Sequence, residues 1–414
     1  MGPDRVPAEQ DESGFRPYTA KAAEPWAELA TDRARCPVSH NAELDAVQIT
    51  SYEGVKEALL DHKSFSSTYS DLWPLEEPLP EHKQVLGASD PPRHTRQRRL
   101  LVKALSASRI QRMRGFSQRL ADDLIDAIVE QGTSFELITA YARRMSEEHM
   151  AELLGIPEDE RAAFARMAKV FEMSIEDRRN HGFNDELDAW IKHLTDMVRA
   201  RRSVGAAGDD LITQLCLATV DGDQFNETEI AALIQLLAGA GISTTQQAIG
   251  NIVRLLDSHP GERAKYLADQ DGLTRSLVNE GLRHDGPVLG LWRRTLGEDA
   301  SVGGVDIPKM AKVFPVVAAA NHDPAVYDRP DEFVVDRDWS ELPLHLSFGH
   351  GIHYCVGMNL AMLELEVGIG TLYRRLRNLR IRPGFTPQQI PGPIVRSWPS
   401  LEMEYDLPAG KRTP

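Results

Sequence analysis

The longest helical pattern in the chain, from residue 226 to about residue 257, constrains the fold most strongly. Asn226 followed by Glu229 is typical of a helix N-terminal capping box, and Pro260 marks where the pattern ends. At 1.5 Å per residue, such a helix is about 48 Å long. A single element of that length crosses a whole domain, so we expect the rest of the chain to pack around it.

Apolar residues at three- and four-residue spacing predict more helices on both sides of this segment. The predicted segments are 52–60, 98–105, 116–130, 140–154, 159–173, 186–201, 211–218 and 356–376. Short β-type runs at 47–50, 300–307 and 312–317 predict small sheets, and a long coil is expected over 319–348. No repeat or clean linker divides the chain. We therefore predict a mainly α fold with small β-sheets, as one domain over 45–414 after an N-terminal arm, 1–44.

Charge and cysteine content narrow the possible functions. Lys and Arg number 47 against 62 Asp and Glu, a net charge of −15, which disfavours a nucleic-acid partner. The longest apolar run, about 230–242, is too short to span a bilayer. Three distant cysteines, Cys36, Cys216 and Cys355, do not form a disulfide framework. We expect a cytoplasmic protein without a membrane anchor.

Cys355 lies between glycines just before the last predicted helix, in the segment 348–357. A sulfur at a helix N-terminus is stabilised as a thiolate, and glycines let backbone N–H groups approach it. The segment therefore predicts a metal-binding thiolate. A structural buried cysteine is one alternative. Zinc bound by His345, His350, His353 and Cys355 is another, although paired zinc-ligand spacings are absent.

The same segment resembles the signature of the cytochrome P450 family of haem-thiolate monooxygenases, Phe-x-x-Gly-x-x-x-Cys-x-Gly. Its fixed positions are Phe348, Gly351, Cys355 and Gly357. Upstream, Glu280 and Arg283 match the family's Glu-x-x-Arg, and Arg337 matches the third member of its buried structural triad. Further matches follow in the family's order from about residue 45 to 405. The resemblance implies a single-domain cytochrome P450 fold, with haem b (iron protoporphyrin IX) between the long helix and the Cys-ligand loop.

The resemblance also implies roles for individual residues. Cys355 would be the axial iron ligand, and Phe348 and Gly349 would contact the haem from the same loop. His94, Arg98, Arg294 and His353 match the partners of the haem propionates. Charge-assisted bonds from such side chains to carboxylates are strong.

Thr244 occupies the middle of the long helix, where several neighbouring residues oppose helical propensity. In the family the helix opens here, and an acid followed by Thr delivers protons to dioxygen. This chain keeps Thr244 but has Ser243 in place of the acid. A hydroxyl can relay a proton but cannot supply a carboxylate.

The substrate pocket implied by the resemblance is lined by three segments. They contribute Leu236, Gly239 and Ala240 on the long helix, Leu289, Gly290 and Leu291 after Pro287, and Ile394 and Val395 near the C-terminus. These residues are apolar or small, which suits a bulky hydrophobic molecule. The loop 66–84, which includes Tyr69 and Trp73, is expected to recognise the substrate.

The implied activity is hydroxylation or a related oxidation of a hydrophobic small molecule by dioxygen. Electrons would come from a separate ferredoxin and ferredoxin reductase, and Arg96, Arg99 and Lys103 would form a basic docking patch or a solvated helix face. Two other functions stay open: a peroxygenase that uses hydrogen peroxide, and a non-enzymatic haem-thiolate sensor.

Overall fold

Helices form most of the part of the chain that the computed structural model describes, which is residues 14–19, 23–69, 75–79, 84–172, 183–205, 207–297, 300–390, 392 and 394–406. The helices are α1 (Trp26–Arg35), α2 (Tyr52–Leu60), α3 (Arg93–Ala104), α4 (Ala107–Gln131), α5 (Arg143–Leu154), α6 (Arg161–Glu172), α7 (Phe183–Ser203), α8 (Leu211–Leu217), α9 (Glu227–Ser258), α10 (Pro260–Ala268), α11 (Gln270–Asp285), α12 (Val317–Ala320) and α13 (Met358–Arg375). None of them is long and apolar enough to cross a membrane.

The long helix α9 has 32 residues and begins as the sequence predicts. The Asn226 side chain accepts a hydrogen bond from the Glu229 N–H, and the Glu229 carboxylate accepts one from the Asn226 N–H. This capping box satisfies backbone donors that the first turn leaves open. Helices α5, α6, α7, α11 and α13 pack against α9, so it forms the centre of the main hydrophobic core.

Short strands form three small sheets. The strands are β1 (Val38–Asn41), β2 (Ala46–Ile49), β3 (Phe65–Ser66), β4 (Ser134–Glu136), β5 (Arg293–Thr295), β6 (Ser301–Val302), β7 (Val305–Asp306), β8 (Lys312–Pro315), β9 (Arg377–Ile381) and β10 (Glu402–Asp406). The largest sheet has the order β1-β2-β8-β5-β3, in which β2 and β8 are parallel. The others are β4-β10-β9 and the hairpin β6-β7.

The described residues before position 45 belong to the same body as the rest. Strand β1 pairs with β2, and Phe15, Leu29 and Leu44 are buried in a cluster with Phe314 of β8. The predicted arm therefore contributes a helix and an edge strand to the large sheet. Residues 1–13 and 20–22 lie outside the described part of the chain.

Local differences from the predicted boundaries have local causes. The predicted β-type run 300–307 forms the hairpin β6-β7, in which Gly303 and Gly304 turn the chain with φ of 57° and 79°. Helix α5 starts at Arg143, later than predicted, because a π-helical turn over Ile138–Ala142 precedes it.

Candidate functional site

The loop before α13 holds Cys355 in a fixed position. The Cys355 N–H donates to the Phe348 carbonyl over 2.8 Å, which closes the loop on itself. Gly349 and Gly351 have φ of 71° and 69°, in the left-handed region that favours glycine. At Gly351 a side chain would also collide with the Leu59 carbonyl at the end of α2. The two glycines therefore let the Cys355 loop lie directly against α2.

Cys355 is an exposed residue, yet protein atoms crowd around its thiol. This crowding raises the pKa of the Cys355 thiol, whereas the backbone N–H groups of Gly357 and Met358 and the Arg98 guanidinium lower it. A bound metal ion would deprotonate the thiol outright. Backbone donors, a nearby cation and an open approach suit a thiolate ligand.

Two imidazoles and a guanidinium converge beside Cys355. The ring centroids of His94, on α3, and His353 lie 4.4 Å apart, and His353 Nε2 lies 3.2 Å from Ser67 Oγ. Burial, together with the nearby Arg98 guanidinium, lowers the pKa of His94 to about 4 and that of His353 to about 2. Both rings are therefore neutral near pH 7.

The neighbouring arginines of β5 face different partners. Arg293 lies close enough to His353 to lower its pKa. Arg294 instead donates to the carbonyls of Met310 and Leu75, and its Nη2 lies 3.5 Å from Glu76 Oε2. Successive side chains of a strand point to opposite faces, which explains the difference. The structure thus places Arg293 near His353, which the sequence did not predict, and the expectation that Arg294 binds a propionate stays a prediction.

This group has the composition of an anion site. It joins two guanidinium groups, of Arg98 and Arg293, to two neutral imidazoles. His94 Nε2 is buried and has no hydrogen-bond partner within the described chain. A buried polar atom without a partner is costly, and carboxylates are the preferred partners of guanidinium groups. The residues therefore fit a ligand that carries carboxylates beside Cys355, as haem does.

A buried ionic triad lies next to the segment that anchors the Cys355 loop. Glu280 Oε2 lies 2.8 Å from Arg283 Nε and 2.9 Å from Arg337 Nε, and Glu280 is fully buried. Arg283 also donates to the carbonyls of Asn321, Pro330 and Glu332. The one carboxylate faces both guanidinium groups, and Arg337 likewise donates to the carbonyls of Asp328 and Arg329, so every charged group in the triad has hydrogen-bond partners.

Asn321 and Ser347 connect this triad region to the Cys355 loop. The Asn321 side chain accepts from the Leu346 N–H over 2.7 Å and donates to Ser347 Oγ over 2.8 Å. Ser347 in turn donates to the Leu282 carbonyl in α11. The loop is thus held to α11 by a continuous hydrogen-bonded chain.

Thr244 and Ser243 are half-buried on α9, on the same face as Ala240. Thr244 Oγ1 donates to the Ala240 carbonyl over 2.7 Å. Helix α9 is α-helical over its whole length, so the opening expected at this position is absent from the structure. The Thr244 hydroxyl bonds the carbonyl one turn back, as a threonine within a helix can do.

The predicted pocket residues fall into two groups. Leu236 and Ala240 on α9, Leu291 and Val395 keep partial or full exposure, whereas Gly239 is buried. Leu289 and Ile394 are buried in the cluster that contains Phe314. Gly290 differs from the expectation that it leaves room for substrate, because a side chain there would collide with Phe314 and Pro315 of β8. Trp73 of the predicted recognition loop lies outside the described residues.

The predicted basic docking patch is already paired in the structure. Arg96 bonds Asp223 and Glu229, Arg99 bonds Asp221, and Lys103 donates to the Thr219 carbonyl. The carboxylates neutralise Arg96 and Arg99, whereas Lys103 meets only a carbonyl and keeps its charge, so the charge argument for this patch is weakened.

Sequence reasoning missed Arg293 and Ser67 in the anion site. Strand alternation could have suggested Arg293 as an alternative to its neighbour, whereas nothing local marked Ser67. The zinc alternative finds no support here, because no three His, Cys, Asp or Glu side chains come together as a metal site among the described residues.

Comparisons with known proteins point to one family. A family model described as "Cytochrome P450" matches residues 132–395. The chain is 34% identical to cytochrome P450 107B1 of Saccharopolyspora erythraea, over 82% of this chain and 84% of that protein. It is 31% identical to mycinamicin IV hydroxylase/epoxidase of Micromonospora griseorubida, over 84% of this chain and 85% of that protein.

Among solved structures, cytochrome P450 CYP109Q5 from Chondromyces apiculatus aligns with a TM-score of 0.84. The two are 27% identical, and the alignment covers 94% of this chain and 97% of that one. The mainly helical fold with small sheets, predicted from the sequence, is thereby confirmed.

Proposed function

Because the chain belongs to the cytochrome P450 family, whose named relatives include monooxygenases and hydroxylases, we propose that it oxidises a hydrophobic small molecule with dioxygen and two electrons from separate redox proteins. A ferredoxin and its reductase are the proposed electron source. The mycinamicin relative supports a substrate of this general kind, and the half-buried apolar residues Leu236 and Leu291 supply surface for it.

We assign haem b as the cofactor. Cys355 would hold its iron, Phe348 and Gly349 would contact it from the same loop, and His94, Arg98, Arg293 and His353 would bind its propionates. When bound, haem supplies the binding and reductive activation of dioxygen. The protein fixes the orientation of the cofactor through these contacts and through the hydrogen-bonded chain from Asn321 to the Cys355 loop.

Thr244 and Ser243 would move protons on the substrate side of α9. The Thr244 hydroxyl donates to the Ala240 carbonyl and can still accept a hydrogen bond from water or from the Ser243 hydroxyl. A serine has no proton to release near neutral pH, so it acts as a relay rather than a source. We therefore propose that the protons come from water and that the hydroxyls of Ser243 and Thr244 relay them.

The observation that carries this proposal is the convergence of two arginines and two neutral imidazoles beside an accessible thiol. Cys355→Ala tests it, with Cys216→Ala, at a buried cysteine on α8, as the matched control. We expect the thiolate-type absorbance of the reduced carbon monoxide complex in the wild type and in Cys216→Ala only. Retention of that absorbance in Cys355→Ala would exclude Cys355 as the ligand.

Turnover separates the proposed monooxygenase from its rivals. The ferric protein is first titrated with macrolides, steroids, terpenoids and small aromatics, and a ligand that shifts the haem band is carried into turnover. Product formed with ferredoxin and reductase supports the proposal. Product formed only with hydrogen peroxide favours a peroxygenase, and gas binding without turnover favours a sensor.

A further inference from the structure

A stripe of polar side chains continues along α9 from the face that carries Ala240 and Thr244. Gln247, Asn251 and Arg254 follow Thr244 at spacings of three, four and three residues, which places them on one face of the helix. Gln247 and Asn251 are buried. Buried polar groups are nearly always hydrogen-bonded, so the partners of these side chains show which parts of the chain the stripe holds in place.

The first partner is the C-terminal segment. The Trp398 N–H donates to Gln247 Oε1 over 2.8 Å, and Trp398 Nε1 donates to Asn251 Oδ1 over 2.5 Å. The Arg254 guanidinium lies 5.4 Å from the centre of the Trp398 ring. Gly250 permits this approach, because a side chain there would press on Trp398. The stripe thus fixes Trp398 through both its backbone and its ring.

The second partner is Asp285, the last residue of α11. Asn251 donates to the Asp285 carbonyl, and Arg254 Nη2 lies 3.0 Å from Asp285 Oδ2. The other carboxylate oxygen of Asp285 pairs with Arg396, and the side chains of both residues are only 1% exposed. Arg396 also lies over the Trp26 ring and donates to the Ala23 carbonyl.

Asp285 and Arg396 each adjoin one of the two proposed pocket segments. Asp285 comes shortly before Leu289–Leu291, and Arg396 follows Val395 directly. The segments are hydrogen-bonded to each other, since the Leu289 N–H donates to the Ile394 carbonyl over 2.7 Å and the Arg396 N–H donates to the Pro287 carbonyl over 3.2 Å. The ion pair and these backbone bonds join the same two stretches of chain.

We propose that Asp285 and Arg396 are positioning residues that set the spacing of the two pocket segments relative to Thr244, and thereby determine which bulky ligands the site accepts. This inference rests on the proposed function, because it takes those segments as pocket walls. Hydrophobic replacement of a buried ion pair often leaves stability intact, whereas a directional pair also fixes geometry. We therefore assign this buried pair, which Arg254 also contacts, a role in geometry rather than in stability.

Two iron-binding probes of different size test the inference. Imidazole is small enough to occupy only the position next to the iron, whereas clotrimazole is bulky and must contact the pocket walls. The variants are Asp285→Asn, Arg396→Met and the double variant Asp285→Leu with Arg396→Met. The control is Arg201→Met, which breaks the partly buried Arg201–Asp210 ion pair between α7 and α8.

We expect all variants to keep the thiolate-type spectrum and the wild-type dissociation constant for imidazole within about twofold. The dissociation constant for clotrimazole should rise about tenfold in the Asp285 and Arg396 variants, equivalent to roughly 1.4 kcal/mol, and should not change in the control. If clotrimazole binding does not change, or if both probes weaken equally, the positioning role is wrong.

Trp398→Phe keeps the inference testable if the charge variants fail to fold. It removes only the Nε1–H bond to Asn251 and retains an aromatic ring. The same selective weakening of clotrimazole is expected, and its absence overturns the inference. A wild-type protein without a thiolate-type spectrum would instead refute the proposed function, so the two failures are distinguishable.

Discussion

Arg293 and Arg294 are consecutive residues of β5, yet their side chains serve different parts of the molecule. Arg293 acts on His353 beside the Cys355 loop, whereas Arg294 joins the carbonyls of Leu75 and Met310 and lies over the Tyr69 ring. Arg293 therefore belongs to the anion site, and Arg294 holds the loop that contains Tyr69 and Leu75 against the sheet.

Exchanging each arginine separately tests this division. Arg293→Leu should accelerate the loss of haem to apomyoglobin by roughly ten- to a hundredfold, because a charge-assisted bond to a carboxylate contributes roughly 1.5–3 kcal/mol. Arg294→Leu is the matched variant and should release haem at nearly the wild-type rate. If Arg294→Leu instead loses haem faster than Arg293→Leu, Arg294 is the residue that binds a propionate.

Removing the central charge of the buried triad should destabilise the protein strongly. Glu280→Gln leaves Arg283 and Arg337 without their carboxylate partner, and we expect the free energy of unfolding to fall by about 3–5 kcal/mol. Urea unfolding followed by circular dichroism measures this. Glu332→Gln, which breaks the exposed pair with Arg329, should cost no more than about 1 kcal/mol. Similar losses in both variants would contradict the role of the triad.

Restoring an acid next to Thr244 should improve the use of electrons. Ser243→Asp supplies a carboxylate that can exchange protons with water, so we expect a larger fraction of reducing equivalents to appear as oxidised product. Consumption of the reductant and formation of product are measured together, with Ser243→Ala as the control. An unchanged or smaller fraction would show that the two hydroxyls already suffice.

His345 should make stability depend on pH. Burial and, to a smaller extent, the Arg283 guanidinium lower the pKa of His345 from 6.5 to about 3. Between these values the unfolded chain binds a proton that the folded protein does not. The free energy of unfolding therefore decreases as the pH falls below 6.5, by about 1.4 kcal/mol per pH unit for this residue.

His345→Asn removes that contribution while leaving a side chain that can accept from the Ser347 N–H. We measure the free energy of unfolding in urea at pH 6.5 and at pH 5. Its decrease between these two pH values should be about 2 kcal/mol smaller in the variant than in the wild type. Other buried histidines, such as His284, are present in both proteins and cancel in the comparison. An equal loss in the two proteins would show that His345 is not the source.

Features that depend on neighbouring residues were predictable from the sequence. The capping box of α9 needs only Asn226 and Glu229, three positions apart. The choice between Arg293 and Arg294 depends on which face of β5 meets His353, and the packing of β3 and β8 sets that face. Likewise, the need for glycine at position 290 comes from its contact with Phe314, which is distant in the sequence. Asp285 and Arg396 are also distant in the sequence and meet only in the folded chain.

The parallel pairing of Val47 with Val313 means that the large sheet joins segments made at very different times during synthesis. The pairing of β4 with β10 is equally distant in the sequence. During synthesis, β2 can pair with β1 at once, but its other edge has no partner until β8 (Lys312–Pro315) has been made, and β4 has no partner until β10 (Glu402–Asp406) has been made. The large sheet, which carries Arg293, can therefore be completed only after most of the chain has been made.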